Sequence, residues 1–165
     1  MDILRNIYSW LNPIYGNELY EYLKGNDCDG AFVGPNHFHT IGLVMILISL
    51  LIFLLYYYVI NHPRINRWWH WMIFLLLSGI INLFTGFAYT YSKLNGGVIP
   101  ACFTHSSFET TPEGSIYGAN GTEILFNSNC WQFGIANAII SIAFFTIFSF
   151  SFKWWSRNCK RSPLF

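Results

Sequence analysis

Three long stretches without a charged residue constrain this chain more than any other feature of its sequence. They cover residues 41–60, 69–92 and 131–152 and are rich in Leu, Ile and Phe. A bilayer core about 30 Å thick needs about 20 apolar helical residues, each rising 1.5 Å. Only 10% of the residues are charged, against roughly a quarter in soluble domains. The sequence therefore predicts an all-α membrane protein with three transmembrane helices.

The placement of Lys and Arg predicts the orientation of these spans. The short 61–68 loop carries Arg64 and Arg67, and the 153–165 tail is also basic, whereas all 8 acidic residues lie in 1–40 and 93–130. The positive-inside rule therefore places the N-terminus and the 93–130 loop outside and the C-terminus inside. The tail residues that we expect to contact anionic lipid are Lys153, Arg157, Lys160 and Arg161.

The N-terminal 40 residues predict an extracytoplasmic amphipathic segment. We expect no cleavable signal peptide, because polar residues and Pro13 soon interrupt the apolar run. Apolar residues from Ile3 to Ile14 recur at helical spacing and predict a short helix on the membrane surface, which Pro13 and Gly16 would end. Asn17 would cap a second short helix. This segment either shields the outer end of the bundle or docks a partner.

The 93–130 loop predicts a β-hairpin and a disulfide. Residues 115–117 and 123–126 flank Gly118-Ala119-Asn120-Gly121, and Asn-Gly is typical of tight hairpin turns. Cys102 and Cys130 bracket the loop, and an oxidising exterior permits them to pair. Closing that loop would contribute about 3 kcal/mol in the chain-entropy account. Pairing of Cys28 with either of them is the alternative.

Polar residues within the spans are the first candidates for a functional site, because hydrocarbon makes them costly. Ser78, Asn82 and Thr85 follow one face of the second span, and Asn137 and Ser141 lie at similar depth in the third. Hydrogen bonds between these helices would contribute about 0.6–2 kcal/mol. The residues form either an interhelical seam within one chain or the lining of a pore between subunits.

A metal site is a weaker possibility. His37 and His39 follow Asp27-Cys28-Asp29, and His-x-His beside acidic residues suits Zn²⁺. Histidines at the start of a span also commonly lie at the head-group level, so we predict neither a metal nor another cofactor.

No catalytic or nucleotide-binding motif is present in the sequence. We therefore predict a non-enzymatic subunit of an oligomeric membrane complex, acting as an anchor, scaffold or pore element. Its partners would be the lipid bilayer and further copies or other membrane subunits, and a net charge of +1 gives no reason to expect nucleic acid. One alternative is an accessory or immunity-type protein that binds another membrane protein. The other is a metal-dependent membrane enzyme.

A composition rich in Phe, Tyr, Ile and Asn is typical of an AT-rich genome and favours a bacterial inner membrane.

Overall fold

The computed structural model describes residues 3–28, 31–32, 34–60, 68–104, 108–111, 114–117, 125 and 127–152. The helices are α1 (Ile3–Trp10), α2 (Asn12–Tyr15), α3 (Asn17–Lys24), α4 (His37–Leu54), α5 (Trp68–Asn95), α6 (Ala101–Thr104) and α7 (Asn127–Phe152). A π-helical segment, Leu55–Ile60, continues α4. The strands are β1 (Phe108–Thr111) and β2 (Gly114–Tyr117), which pair antiparallel.

Three helical segments are long and apolar enough to cross a membrane, as expected for an integral membrane protein. They are His37–Val59, Trp68–Asn95 and Asn127–Phe152. Each helix begins before the predicted apolar span. In α4 the reason is local, because the Asn36 side chain accepts a hydrogen bond of 3.1 Å from the Phe38 backbone N–H and so caps the first turn.

The chain divides into two compact units. The first contains Met1–Gly42 and Gly86–Ala136, and the second contains Leu43–Thr85 and Asn137–Phe165. Each of the three long helices contributes residues to both units.

Aromatic packing holds together the core of the first unit. The buried Tyr8 ring lies 5.1 Å from Phe38 and 5.7 Å from Phe133, and Tyr15 meets Phe133 edge-on at 5.2 Å. Such ring pairs contribute about 0.5–1.5 kcal/mol beyond the area they bury. Helices α1–α3, residues 3–24, are therefore anchored on α4 and α7. We call these three helices the cap.

Gly16 follows the last residue of α2 as its C-cap, as expected, but the roles predicted for Pro13 and Asn17 are wrong. Pro13 lies in the first turn of α2, where its missing N–H costs nothing, so it begins a helix instead of ending one. The N-cap of α3 is Gly16, and Asn17 makes no capping bond; its side-chain oxygen accepts a hydrogen bond of 2.6 Å from the Asn12 amide.

A second core of aromatic and aliphatic side chains fills the second unit. Its buried members are Ile52, Phe53, Tyr56, Tyr57, Leu75 and Phe145. Hydrogen bonds connect the helices beside it: the Trp71 indole donates to Ser149 at 3.1 Å, and the Tyr58 hydroxyl donates to the Phe152 carbonyl at 3.4 Å. Leu, Ile and Phe side chains stay exposed on the spans, as contact with lipid requires.

The short β pair does not correspond to the predicted hairpin. Gly114–Tyr117 pairs with Phe108–Thr111, so that Glu109 lies opposite Ile116. The turn at 118–121 and most of its expected second strand, 123–126, lie outside the described residues. The predicted hairpin is therefore not confirmed.

Candidate functional site

The polar residues of the spans meet in a hydrogen-bonded seam in the second unit. Asn137 donates from its side-chain amide to the Asn82 carbonyl at 2.7 Å, and Ser141 lies 3.5 Å from the Ser78 carbonyl. The Asn82 amide also donates to the Ser78 carbonyl at 3.0 Å, within its own helix. The structure thus brings four of the five predicted seam residues together.

The fifth predicted residue, Thr85, does not belong to the seam. Its hydroxyl donates to the Ile81 carbonyl of the preceding turn at 2.8 Å, and its side chain is half-exposed. Unlike the seam residues, Thr85 is not buried, and it makes no hydrogen bond to another helix among the described residues.

Ser49 on α4 is a seam residue that the sequence analysis did not include. Its hydroxyl lies 3.4 Å from the Asn82 amide and 3.5 Å from the Ser78 hydroxyl, and it donates to the Met45 carbonyl at 2.9 Å. The signal was present, because Ser49 is the single non-aromatic polar side chain in 41–60. The seam therefore joins all three long helices.

The seam is closed to solvent. Ser49, Ser78, Asn82, Asn137 and Ser141 are each completely buried. None of them is titratable, so the seam offers helix adhesion and no acid–base chemistry. The side-chain amide oxygen of Asn82, unlike its backbone carbonyl oxygen, has no hydrogen-bond partner within the described part of the chain.

A cleft of about 390 Å³ in the first unit is the second candidate site. It lies between the end of α3, the loop after it, the start of α4 and the end of α5. Its lining includes Tyr22, Asn26, Asp27, His37, Lys93 and Pro100. Unlike the seam, this cleft combines opposite charges with an imidazole and a phenol, and its volume is in the range of small-molecule sites.

The loop that forms one wall of the cleft is held tightly. Gly25 adopts a left-handed conformation with φ 91° at the end of α3, and its carbonyl accepts a hydrogen bond of 2.9 Å from the Gly34 N–H. A Cβ atom on Gly25 would lie 2.6 Å from the Gly34 oxygen. Asp27 donates its backbone N–H to the Ala31 carbonyl at 2.8 Å. Only glycine fits at residue 25, and this fixes the position of the following residues.

The disulfide joins Cys28 to Cys102, so the predicted Cys102–Cys130 pair is wrong and the alternative with Cys28 is correct. The two Cα atoms are 5.9 Å apart, within the normal disulfide range. Cys130 is a free, buried thiol in the first turn of α7. The bridge attaches the wall of the cleft to α6.

Histidine and tyrosine side chains organise the interior of the cleft. The His37 Nδ1 atom lies 2.8 Å from the Tyr89 hydroxyl, and its ring stacks on Tyr22 at 5.4 Å. Burial, with a contribution from nearby Tyr89, raises the pKa of the Tyr22 phenol, so this group stays neutral. The Tyr22 hydroxyl is buried and has no hydrogen-bond partner among the described residues.

The candidate metal ligands are not brought together. His37 bonds to Tyr89, His39 is exposed, and Cys28 is in the disulfide. The described residues contain no group of three or more His, Cys, Asp or Glu side chains that could hold a metal ion. The predicted lipid-contact residues Lys153, Arg157, Lys160 and Arg161 lie outside the described residues.

Comparison with protein-family models, with curated proteins and with solved structures finds no match for this chain.

Proposed function

We propose that this protein is a non-enzymatic subunit of an oligomeric membrane complex, and that its role is to anchor or scaffold instead of to conduct. The observation that carries this proposal is the closed seam. Its polar side chains make their hydrogen bonds within a single chain, as from the Asn137 amide to the Asn82 backbone carbonyl at 2.7 Å, and all are buried. A pore-lining role would require these groups to face water in the assembled protein.

We also propose that the N-terminus and the 93–130 loop are extracytoplasmic and that the membrane is a bacterial inner membrane. The charge bias of the loops supports this orientation. The Cys28–Cys102 bridge supports it independently, because disulfides persist in oxidising compartments such as the periplasm and are rare in the cytosol. Both cysteines lie on the side that the charge rule places outside.

Apolar side chains of the first unit that lie beyond the spans support a role in assembly. Trp10 on the cap is 87% exposed, Ile3 is 64% exposed, and Phe32 in the loop after α3 is 63% exposed. Large exposed aromatic side chains on a rigid support are typical of surfaces that enter membranes or protein interfaces. The packed cap and the disulfide provide the rigid support.

Native mass spectrometry of the purified protein in nanodiscs, with and without reductant, tests the proposal. A defined oligomer with a single copy number would support the subunit role, and the reduced sample would show whether the disulfide maintains it. A monomer that co-purifies with one other membrane protein in fixed ratio would support the accessory or immunity-type alternative and contradict self-assembly.

Electrical recording separates scaffold from pore. The protein in planar bilayers should pass no current at any voltage. Unitary currents whose size is independent of protein concentration, and which change in Asn82→Ala or Asn137→Ala variants, would overturn the structural role of the seam.

A further inference from the structure

We propose that the cleft of the first unit binds a zwitterion that carries a phosphate and a primary ammonium on one molecule, and that this is the head group of an ethanolamine phospholipid. The inference does not depend on the proposed assembly. It rests on the charges that line the cleft, on an unsatisfied hydroxyl in its wall and on its position along the helices.

Two opposite charges line the cleft. Lys93 and Asp27 both contribute to it, and Lys93 makes no ion pair with any carboxylate in the part of the chain that the structure describes. The Lys93 ammonium lies 5.8 Å from the centre of the Tyr89 ring, which orients it without neutralising it. An anionic phosphate would take Lys93 as its donor, and a primary ammonium would donate to the Asp27 carboxylate.

The Tyr22 hydroxyl is a second, independent indication of a ligand. Tyr22 lines the cleft and is only 7% exposed, yet its hydroxyl has no partner among the described residues. Leaving a buried hydroxyl unsatisfied is unfavourable. The hydroxyl is enclosed in the wall of the cleft, so a phosphate oxygen that satisfied it would have to displace the part of the wall beside it. A phenol that remains neutral can donate to such an acceptor.

The position of the cleft favours a lipid as the source of the zwitterion. His37 begins the first membrane-spanning helix, and Lys93 lies in the last turn of the second, so both belong to the ends of apolar spans. The ends of apolar spans of this length are expected to lie near the phosphate layer of a bilayer. Ethanolamine is preferred over choline in this site, since a primary ammonium offers three N–H donors to Asp27 and a quaternary ammonium offers none.

Lipid retention by the full chain, measured by native mass spectrometry, tests the proposal. The probes are phosphatidylethanolamine, phosphatidylcholine and phosphatidylglycerol with matched acyl chains, presented as an equimolar mixture. We expect preferential retention of the ethanolamine lipid, reduced about tenfold or more in both Lys93→Gln and Asp27→Asn, because each change removes a charge-assisted hydrogen bond. Lys24→Gln is the matched control, since Lys24 pairs with Glu21 at 3.5 Å and does not line the cleft.

A competition experiment with glycerophosphoethanolamine, which has the head group without acyl chains, identifies the source of the zwitterion. If it competes with the lipid, a free small molecule can also occupy the site. If it does not compete, lipid is the source. Either result supports recognition of the zwitterion if both cleft variants abolish it. Equal retention of the three lipids, or retention that Lys93→Gln and Asp27→Asn leave unchanged, would overturn the proposal.

Discussion

The side-chain amide of Asn137 on α7 donates a hydrogen bond of 2.7 Å to the backbone carbonyl of Asn82 on α5. Both residues are completely buried. A helix carbonyl of this kind already accepts a bond within its own helix, so the Asn137 amide uses its second lone pair. The contact joins two helices without requiring a break in either.

Replacing Asn137 by Leu should therefore destabilise the protein by about 0.6–2 kcal/mol, the usual range for a hydrogen bond between membrane helices. Thr85→Val is the matched control, since the Thr85 hydroxyl donates within its own helix at 2.8 Å and the change should be tolerated. Reversible unfolding in mixed detergent micelles measures both. Equal stability losses in the two variants would contradict an adhesive role for the Asn137 contact.

Alanine substitutions at Gly25 and Gly97 distinguish the cost of a left-handed backbone from the cost of a steric clash. Both have positive φ, 91° and 63°, but a Cβ atom would contact the Gly34 backbone at residue 25, whereas at residue 97 it would meet no atom of the described residues within 4 Å. Gly97→Ala should cost about 1–2 kcal/mol from the left-handed backbone alone. Gly25→Ala should cost distinctly more, because the loop backbone must also move. Thermal unfolding of the two variants gives the comparison, and equal losses would show that the Gly25–Gly34 approach is not tight.

The three spans could be predicted from the sequence because their signal is compositional and extends over about 20 residues each. Ser78 and Asn82 could be placed on one face from their spacing, since regular helical geometry fixes which residues share a face. Thr85 has the same spacing but bonds within its own helix. Spacing alone cannot distinguish these two ways of satisfying a hydroxyl.

The buried residues and the cleft of the first unit were harder to predict, because they depend on contacts between segments that are distant in sequence. Tyr8 is the buried residue of α1 and stacks on Phe38 and Phe133. The apolar stripe expected for this segment did not include it and consisted of Ile3, Leu4, Ile7, Trp10, Leu11 and Ile14. The cleft brings together Asp27 and Lys93, which are far apart in sequence. No periodic pattern in the sequence predicts that these two residues line one cleft. The left-handed turn at Gly25, which directs the loop, was also not predicted from the sequence.

The disulfide also depends on a contact between distant segments, and it leads to a prediction of the number of free thiols in two variants. Cys102 and Cys130 are closer in sequence than Cys28 and Cys102, but pairing follows the geometry of the Cα atoms. Changing Cys28 to Ser should release Cys102 and increase the number of free thiols by one relative to wild type. Changing Cys130 to Ser should decrease it by one.

Intact-mass measurement after alkylation in denaturant without reductant reads out these numbers directly. A Cys102–Cys130 bridge would reverse both signs, so the Cys130→Ser variant serves as the internal control for the Cys28→Ser variant. Reduction before alkylation should make all cysteines reactive and gives the reference count for each protein.

Tyr22 and Tyr15 are both buried, but their hydroxyl groups differ in hydrogen bonding. Tyr15 donates to the Tyr8 carbonyl at 3.0 Å, whereas the Tyr22 hydroxyl has no partner among the described residues. Tyr15→Phe should therefore lower the free energy of unfolding by about 0.5–1.5 kcal/mol, the net contribution of a typical hydrogen bond. Tyr22→Phe should leave the stability of lipid-free protein unchanged or raise it, since it removes an unsatisfied group.

Measured in delipidated detergent and again with added ethanolamine phospholipid, Tyr22→Phe distinguishes a packing defect from a ligand contact. Wild type should gain more stability from the lipid than the variant does, because only wild type can offer the Tyr22 hydroxyl to a bound phosphate. Tyr15→Phe should gain as much as wild type. A loss of lipid-free stability in Tyr22→Phe comparable to that in Tyr15→Phe would mean that the Tyr22 hydroxyl is already bonded in the folded protein, and the unsatisfied group would no longer point to a ligand.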